Sequence, residues 1–443
     1  YGNRTLGGFL RMVGAEMPTS SDQVIWSEQN RLHICYESCN LTGAGAFTIT
    51  IPTNAAVNQT AARNAIFPND TIVVMNPATG VTVKGIVGAT AVAAGPGVTT
   101  VTAYPFQVAN WNALGNGTNS LKMFVYGSVF AKGTAAPAQT GGAIKSIEPR
   151  FTQFSNQPII IKDSFQINGS DMAQIGWVEV STEDGTSGYL WYLKSESETR
   201  LRFDDYLEMA MVEGELASGA GGVSFAAQQA NVGGFSATIT AYGSQGLFAA
   251  IQARGNIMSG FSAGTGLSDF DQVLKNLDTQ GAIEENMLFL NRDLDLDFDD
   301  MLGQISAGVA GGVAYGLFEN SQDMALNLGF SGFRRGSYDF YKTSWKYLND
   351  ASTRGAVAVS NIEGVLIPAG TSTVYDQSLG TNIRRPFLHV RYRASQTEDR
   401  RYKNWITGSA GGAYTTNLDA MQVNWLSERC LVTQGANNFM LLN

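Results

Sequence analysis

The sequence predicts an α+β protein with a small all-β module set into it, and three observations carry that reading. From Phe47 to Thr134, short β-branched runs alternate with Gly, Pro and Asn, the texture of a small barrel or sandwich. From Gly188 to Gly214 the chain runs without internal Gly or Pro, and Leu190, Leu193, Leu201 and Met211 recur near helical spacing. Beyond a Gly-rich connector at Ser218 to Ser224, strand-like and helix-like stretches mix.

Each element has its own justification. Tyr1 to Ala46 has mixed polarity and no long period, as expected of an arm that packs onto something else. The module's strands are predicted at Phe47–Ile51, Thr71–Met75, Val81–Val83, Val98–Thr102 and Leu121–Val125, with turns at Asn76-Pro77, Thr79-Gly80 and Gly95-Pro96-Gly97. A loose stretch, Gly133 to Gly142, ends it. Strands follow at Pro158–Ile161 and Ser164–Ile167. At 1.5 Å per residue, the helix from Gly188 to Gly214 would be about 40 Å long. Charge runs along much of it, so one side must face solvent or a neighbour. Helices are also expected at Gly246–Arg254, after a capping-box-like Ser268/Asp271 pair, at Tyr338–Asn349 and at Asn417–Cys430. Strands are expected at Gly364–Ile367 and Phe387–Tyr392.

Composition narrows the function classes. The chain has 443 residues, enough for about two or three domains. Charged residues make up only 15% of it, against a typical share near ~25%, and depletion of charge marks interface cores. A net charge of −9 and no polybasic arm argue against generic nucleic-acid binding through phosphate neutralisation. Three cysteines build no disulfide framework and point to a reducing compartment. No stretch reaches the ~18 apolar residues of a membrane helix. The nearest, Ile305 to Phe318, is broken by Gly308, Gly311, Gly312 and Gly316. Arg4 and Arg11 stand without an apolar h-region, so no signal peptide is expected.

Several motifs point toward chemistry and have plainer readings. Gly260-Phe-Ser-Ala-Gly264 matches G-x-S-x-G, with His389 downstream, but Gly255, Asn256 and Gly260 make the approach to Ser262 a loop, not a strained strand-to-helix turn. Asn291 to Asp300 is calcium-loop-like, yet a loop counted from Asp293 puts Phe298 and Gln304 where Gly and an acid belong. The alternation of Leu294, Leu296 and Phe298 with aspartates predicts a half-buried strand with an acidic face. Asp293, Asp295 and Asp297 are only weak metal candidates. His33, Cys35 and Cys39 form half a zinc spacing, with only His389 and Cys430 to complete it. Thiols packed in a core are expected instead. Sequons at Asn3, Asn40, Asn58, Asn69, Asn116 and Asn168 follow from Asn and Thr in turns. No Gly-Lys dipeptide occurs, which excludes a P-loop. No catalytic residue, cofactor site or firm metal site is assigned, and the expectation is a protein that is not an enzyme.

Phe154-Ser-Asn-Gln-Pro-Ile-Ile-Ile-Lys-Asp-Ser-Phe-Gln-Ile-Asn-Gly-Ser170, followed by the long helix ending Glu208-Met-Ala-Met-Val-Glu-Gly214, resembles tailed-bacteriophage major capsid proteins. Asp70 to Gly80 and the closing Glu428-Arg-Cys-Leu431 are similar to that family in character. The closest texture is that of crAss-like phages. The resemblance spans nearly the whole chain on degenerate patterns. It implies the Hong Kong 97 fold, divided as follows: N-terminal arm 1–46, a β-rich module 47–134 inserted in the extended loop, and return strands 135–187. A peripheral domain 188–235 with the spine helix 188–214, an axial domain 236–370 and a return to the peripheral domain 371–443 complete it.

The function implied is a structural shell subunit that self-assembles into hexamers and pentamers of an icosahedral capsid. Implied partners are further copies of the chain, a portal, and decoration, scaffold or maturation proteins. Packaged double-stranded DNA would be held without sequence-specific contact, and no membrane is involved. The location implied is the virion, with assembly in the host cytoplasm. Related proteins often lose a leading piece, so Tyr1 is expected to follow a removed segment. Glu196, Glu198, Arg200 and Arg202 on the spine helix are the candidate subunit contacts. The alternative is a β-rich surface-layer or adhesin-type protein.

Overall fold

The computed structural model describes residues 16–29, 33, 35–43, 45–50, 66–92, 98–115, 120–134, 151–173, 180–181, 187–188, 191–217, 243–259, 267–281, 283–308, 331–356, 362–376, 381–412 and 414–443. The described chain divides into two compact units: Trp26–Phe154 is one, and the rest is the other. After β1 (Glu16–Thr19), the chain passes into the first unit on β2 (Val24–Gln29) and out of it on β9 (Phe151–Asn156). These two strands pair with each other in a ribbon.

Unit 26–154 is a barrel. Strands β3 (Cys35–Thr42), β4 (Ala46–Thr50), β5 (Asp70–Met75), β6 (Thr82–Val92), β7 (Val98–Pro105) and β8 (Leu121–Ser128) close in the order β3-β4-β7-β6-β5-β8. Period-2 alternation sends Phe47 and Ile49, Ile72 and Val74, and Leu121 and Met123 inward. Trp111 plugs the interior: its indole N–H donates to the Ala103 carbonyl at 2.8 Å, and its ring meets Phe47 edge-on at 4.9 Å. Gly85 is required there, because a Cβ would sit 2.7 Å from the indole. The Asn76-Pro77 turn forms as the sequence predicts. Asn76 Oδ1 accepts from the Ala78 N–H at 3.0 Å, and Gly80 takes φ +72°.

The barrel begins at Cys35, ahead of the change of texture at Phe47. Strand β3 lacks a β-branched run, and an irregularity between Tyr36 and Cys39 breaks its alternation. Of the three cysteines, two or three of which are expected in a core, Cys39 and Cys430 are buried and Cys35 is exposed. Burial pushes both buried thiols up to about 12.

The other unit is α+β, built on two sheets. After β10 (Ile159–Asn168), the turn α1 (Gly169–Met172) and a short pair, β11 (Val180–Ser181) with β12 (Ser187–Gly188), comes the long helix α2 (Trp191–Glu213). Helix α3 (Leu247–Arg254), β13 (Asn256–Met258), helix α4 (Leu267–Gln280), β14 (Glu285–Leu290) and helix α5 (Arg292–Gly308) follow. Next are β15 (Ser331–Arg335), β16 (Tyr338–Ser344), the turn α6 (Lys346–Asn349), β17 (Gly364–Pro368) and a separate ribbon of β18 (Thr371–Asp376) and β19 (Thr381–Pro386). The chain ends in β20 (Leu388–Arg393), β21 (Lys403–Gly408), β22 (Ala420–Thr433) and β23 (Met440–Leu442).

The first sheet runs β1-β20-β22-β10, with β21 also on β22; the second runs β13-β23-β17-β14-β16-β15. The second sheet is covered on both faces, so its central strand β17 is buried at every residue. Val365 and Ile367 of β17 join one core with Leu247, Phe248 and Ile251 of α3. Leu366 between them joins the other, with Phe270, Val273 and Leu277 of α4 and Leu294 and Phe298 of α5.

Three helix-or-strand expectations are corrected. Tyr338–Asn349 is a strand followed by one helical turn, not a helix. Tyr338, Phe340 and Lys342 alternate inward, and a lysine at the third buried position hides the period of 2. Asn417–Cys430 is not a helix but most of β22, the central strand of its sheet. Buried Ser427, Glu428 and Arg429 interrupt the apolar run that would have marked it. Asn291–Asp300 is not a strand but the start of α5. Asn291 Oδ1 accepts from the Leu294 N–H at 2.8 Å as an N-cap, and Asp293 and Asp295 favour the first turn. Leu294 and Phe298 are buried four residues apart, while Leu296 is exposed. The predicted strands Pro158–Ile161 and Ser164–Ile167 are one strand, and Ser268 lies inside the first turn of α4.

Candidate assembly surface

Helix α2 is the site the sequence singles out, and it lies on β10 and β22. Phe203, Leu207 and Met211, spaced by four, form its buried stripe. Phe203 and Leu207 pack with Ile167, Met421, Val423 and Trp425 of the sheet, and Phe203 meets Tyr402 edge-on at 5.4 Å. Leu193 and Tyr206 are 43% and 42% exposed and lie on the open side.

The four charged candidates fall differently. Glu198 and Arg200 are exposed, and Glu196 is half-buried. Glu198 pairs with Lys194 at 3.8 Å, a surface contact worth little. Arg202 is engaged by its own chain: Nε and Nη2 donate to the two Asp163 oxygens at 2.9 Å each, a bidentate pair fixing the helix to β10.

The motif ending at Gly214 acquires a physical account. Met211 and Val212 enter the core. Glu213 Oε1 accepts from the Tyr347 hydroxyl at 2.7 Å and from Arg354. Gly214 lets its backbone meet Gly246, whose N–H donates to the Gly214 carbonyl at 2.7 Å; a Cβ there would lie 2.5 Å from the Ser244 carbonyl. Into the same turn reaches Asn156. Its Nδ2 donates to the carbonyls of Gln245 at 2.9 Å and Leu431 at 2.6 Å. Its Oδ1 accepts from the N–H groups of Gln157 at 2.9 Å and Gln245 at 2.8 Å, and from Ser244 Oγ at 3.2 Å. Gln157 Nε2 donates to the Gly243 carbonyl at 2.9 Å. Sequence reasoning placed Asn156 and Gln157 in a motif without finding this role.

Two carboxylates on the first sheet are each shared by two arginines. Glu428 accepts from Arg393 at 3.2 Å and is ion-paired with Arg400 at 2.6 Å. Glu16 lies 3.6 Å from Arg429 and 3.8 Å from Arg401. On the second sheet, buried Lys342 is held by Asp295 at 2.8 Å and Asp299 at 2.7 Å. The aspartates expected on a solvated strand face therefore split: Asp295 clamps α5 to β16, while Asp293 and Asp297 stay exposed. They act on Glu363, whose carboxyl is raised by burial first and then by these like charges. Among the described residues, no group of three His, Cys, Asp or Glu side chains is placed to hold a metal. Ser262 of the G-x-S-x-G match lies outside the described residues.

His389 is fully buried, with Nδ1 3.0 Å from the Pro386 carbonyl. Burial, helped by the charges of Arg391 and Arg385, pushes it down to about 4 from 6.5. The unfolded chain takes up a proton near 6.5 that the folded one refuses until about 4. Its contribution to stability is therefore complete above pH 6.5 and is lost as pH falls toward 4. The span is worth about 3 kcal/mol. Thermal unfolding at pH 7 and 4.5 should show a larger acid loss for the wild type than for His389→Gln. Equal losses would contradict this.

No helix among the described residues is long and apolar enough to cross a membrane. No protein-family model matches the chain, and no curated protein matches it. Solved structures do. One, from Mycobacterium phage Cain, shares 12% identity over 72% of this chain and 80% of that one, with a TM-score of 0.35. One from Microbacterium phage Oxtober96 shares 9% over 97% of this chain and 90% of that one, with a TM-score of 0.35. The capsid structure of the cyanophage P-SCSP1u shares 8% over 70% of this chain and 79% of that one, with a TM-score of 0.34. The chain is thus similar to solved phage structures, a phage capsid structure among them.

Proposed function

We propose that the chain is the major capsid protein of a tailed double-stranded DNA phage, a tile whose hexamers and pentamers close into an icosahedral shell. The observation that carries this reading is the knot at Asn156, Gln157 and Gly214. Residues on which the sequence resembles phage capsid proteins, Asn156, Gln157 and Gly214, meet at the 243–246 segment beside the end of the long helix and tie it to β22. Helix α2 with the β1-β20-β22-β10 sheet suits the peripheral domain implied by the resemblance, and the six-stranded sheet with α4 and α5 suits the axial domain. The β2–β9 ribbon suits the stem of an extended loop into which a barrel has been inserted. A closed barrel exposes no strand edge, so it can decorate a lattice without inviting uncontrolled strand pairing. Closed shells arise when copies of one tile meet through heterologous contacts around rotational axes. In this role the portal, decoration, scaffold and maturation proteins are partners, and DNA fills the interior without sequence-specific contact. Sedimentation of the purified chain tests the reading: a discrete particle peak is expected, and only monomer or small oligomers under all assembly conditions contradicts it.

A further inference from the structure

The arginines Arg202, Arg393, Arg400, Arg401 and Arg429 on or beside the first sheet each have a carboxylate within 4.0 Å: Asp163, Glu428 or Glu16. Arg391 on β20 is different. A guanidinium carries five N–H donors, and among the described residues it makes one bond, from Nη1 to the Pro18 carbonyl at 3.3 Å. Its Nε is buried without a partner.

Its surroundings sharpen the anomaly. Strand alternation puts His389 and Arg391 on one face of β20, opposite Val432 and Cys430 of β22. Met17 of β1 is its partner on the other side. His389 is fully buried, and its Nε2 also has no partner. The charge acting most on Arg391 is another cation, Arg385; no carboxylate is among the groups acting on it, and burial weakens its hold on its proton. The nearest acid along this face, Glu428, is already shared by Arg393 and Arg400. A half-buried guanidinium without a carboxylate partner among the described residues costs free energy that an anion from outside would offset.

We propose that Arg391 is an oxyanion-binding site, taking a carboxylate or phosphate group at the Nη end of the guanidinium, since its Nε is sealed from solvent. Planar, paired donors select such anions over chloride. The source is either a free ion or a carboxylate of a second copy of this chain.

Inorganic phosphate and sodium acetate are the probes, added to the purified wild-type chain at constant ionic strength set with chloride. Saturable binding by calorimetry is expected, with a rise of several degrees in unfolding temperature that chloride does not give. Arg391→Met should abolish both effects, and Arg391→Lys should weaken binding roughly tenfold or more. An equal response in wild type and Arg391→Met overturns the proposal. Should Arg391→Met fail to fold, absence of saturable binding to the wild type, or unchanged affinity in Arg391→Lys, overturns it equally. Self-association of the subunit distinguishes the sources. Competition by phosphate against association assigns the site to a second copy's carboxylate, and phosphate binding that leaves association untouched assigns it to a free ion.

Discussion

Asn156→Ala is expected to be among the most destabilising single substitutions in this chain. Asn156 is 3% exposed, and its amide satisfies two carbonyls, two N–H groups and one hydroxyl drawn from three segments. Truncation leaves several of these buried and unpaired. At about 1–3 kcal/mol for each group that water cannot reach, a loss of about 3–5 kcal/mol follows. Asn156→Asp gives a sharper signature. It keeps the acceptor but turns a second oxygen toward the Gln245 and Leu431 carbonyls, so the neutral acid is favoured and the ionised form is penalised. Measured against the wild type at the same pH, that variant should therefore be more destabilised at pH 8 than at pH 5. Thermal unfolding checks both, and two variants melting within a degree or two of wild type at every pH would remove Asn156 from the account.

The second large effect is on assembly. Thr199 lies inside α2, where its hydroxyl donates back to the Ser195 carbonyl at 2.9 Å. Proline there removes a backbone N–H and drives its ring into the preceding turn, at a cost of ~3 kcal/mol or more. The bend falls just before Phe203 and Leu207, which seat the helix on the sheet. The core around Met211 and Val212 lies a further two turns on and should survive. Thr199→Pro is therefore expected to stay soluble while particle yield falls at least tenfold, because a shell repeats the displaced surface in every subunit. Thr199→Ala loses only the hydroxyl and should assemble normally. Equal particle yields from the two variants would mean that α2 is no spine.

What the sequence made legible follows from how local each signal is. Helix α2 shows because Gly and Pro are missing between its ends, and the barrel strands show because Phe47/Ile49, Ile72/Val74 and Leu121/Met123 alternate. Strands β16 and β22 were hidden because buried charges occupy apolar positions: Lys342 needs Asp295 and Asp299 from another element, and Glu428 needs Arg393 and Arg400. The acidic run misled for a related reason. Leu294 and Phe298 fit a period of 2 and a helical step of four equally well, and only the cap at Asn291 distinguishes them. The role of Asn156 was illegible in principle, since its carbonyl partners lie 89 and 275 residues away. Of the four charges selected on α2, Arg202 is held by Asp163 and Glu198 faces Lys194 within the chain, while Arg200 is exposed.

Electron micrographs of the purified wild-type chain test the central claim most directly. Closed hollow particles of uniform diameter are the predicted result. Isolated monomers, or open filaments and sheets that never close, would contradict it.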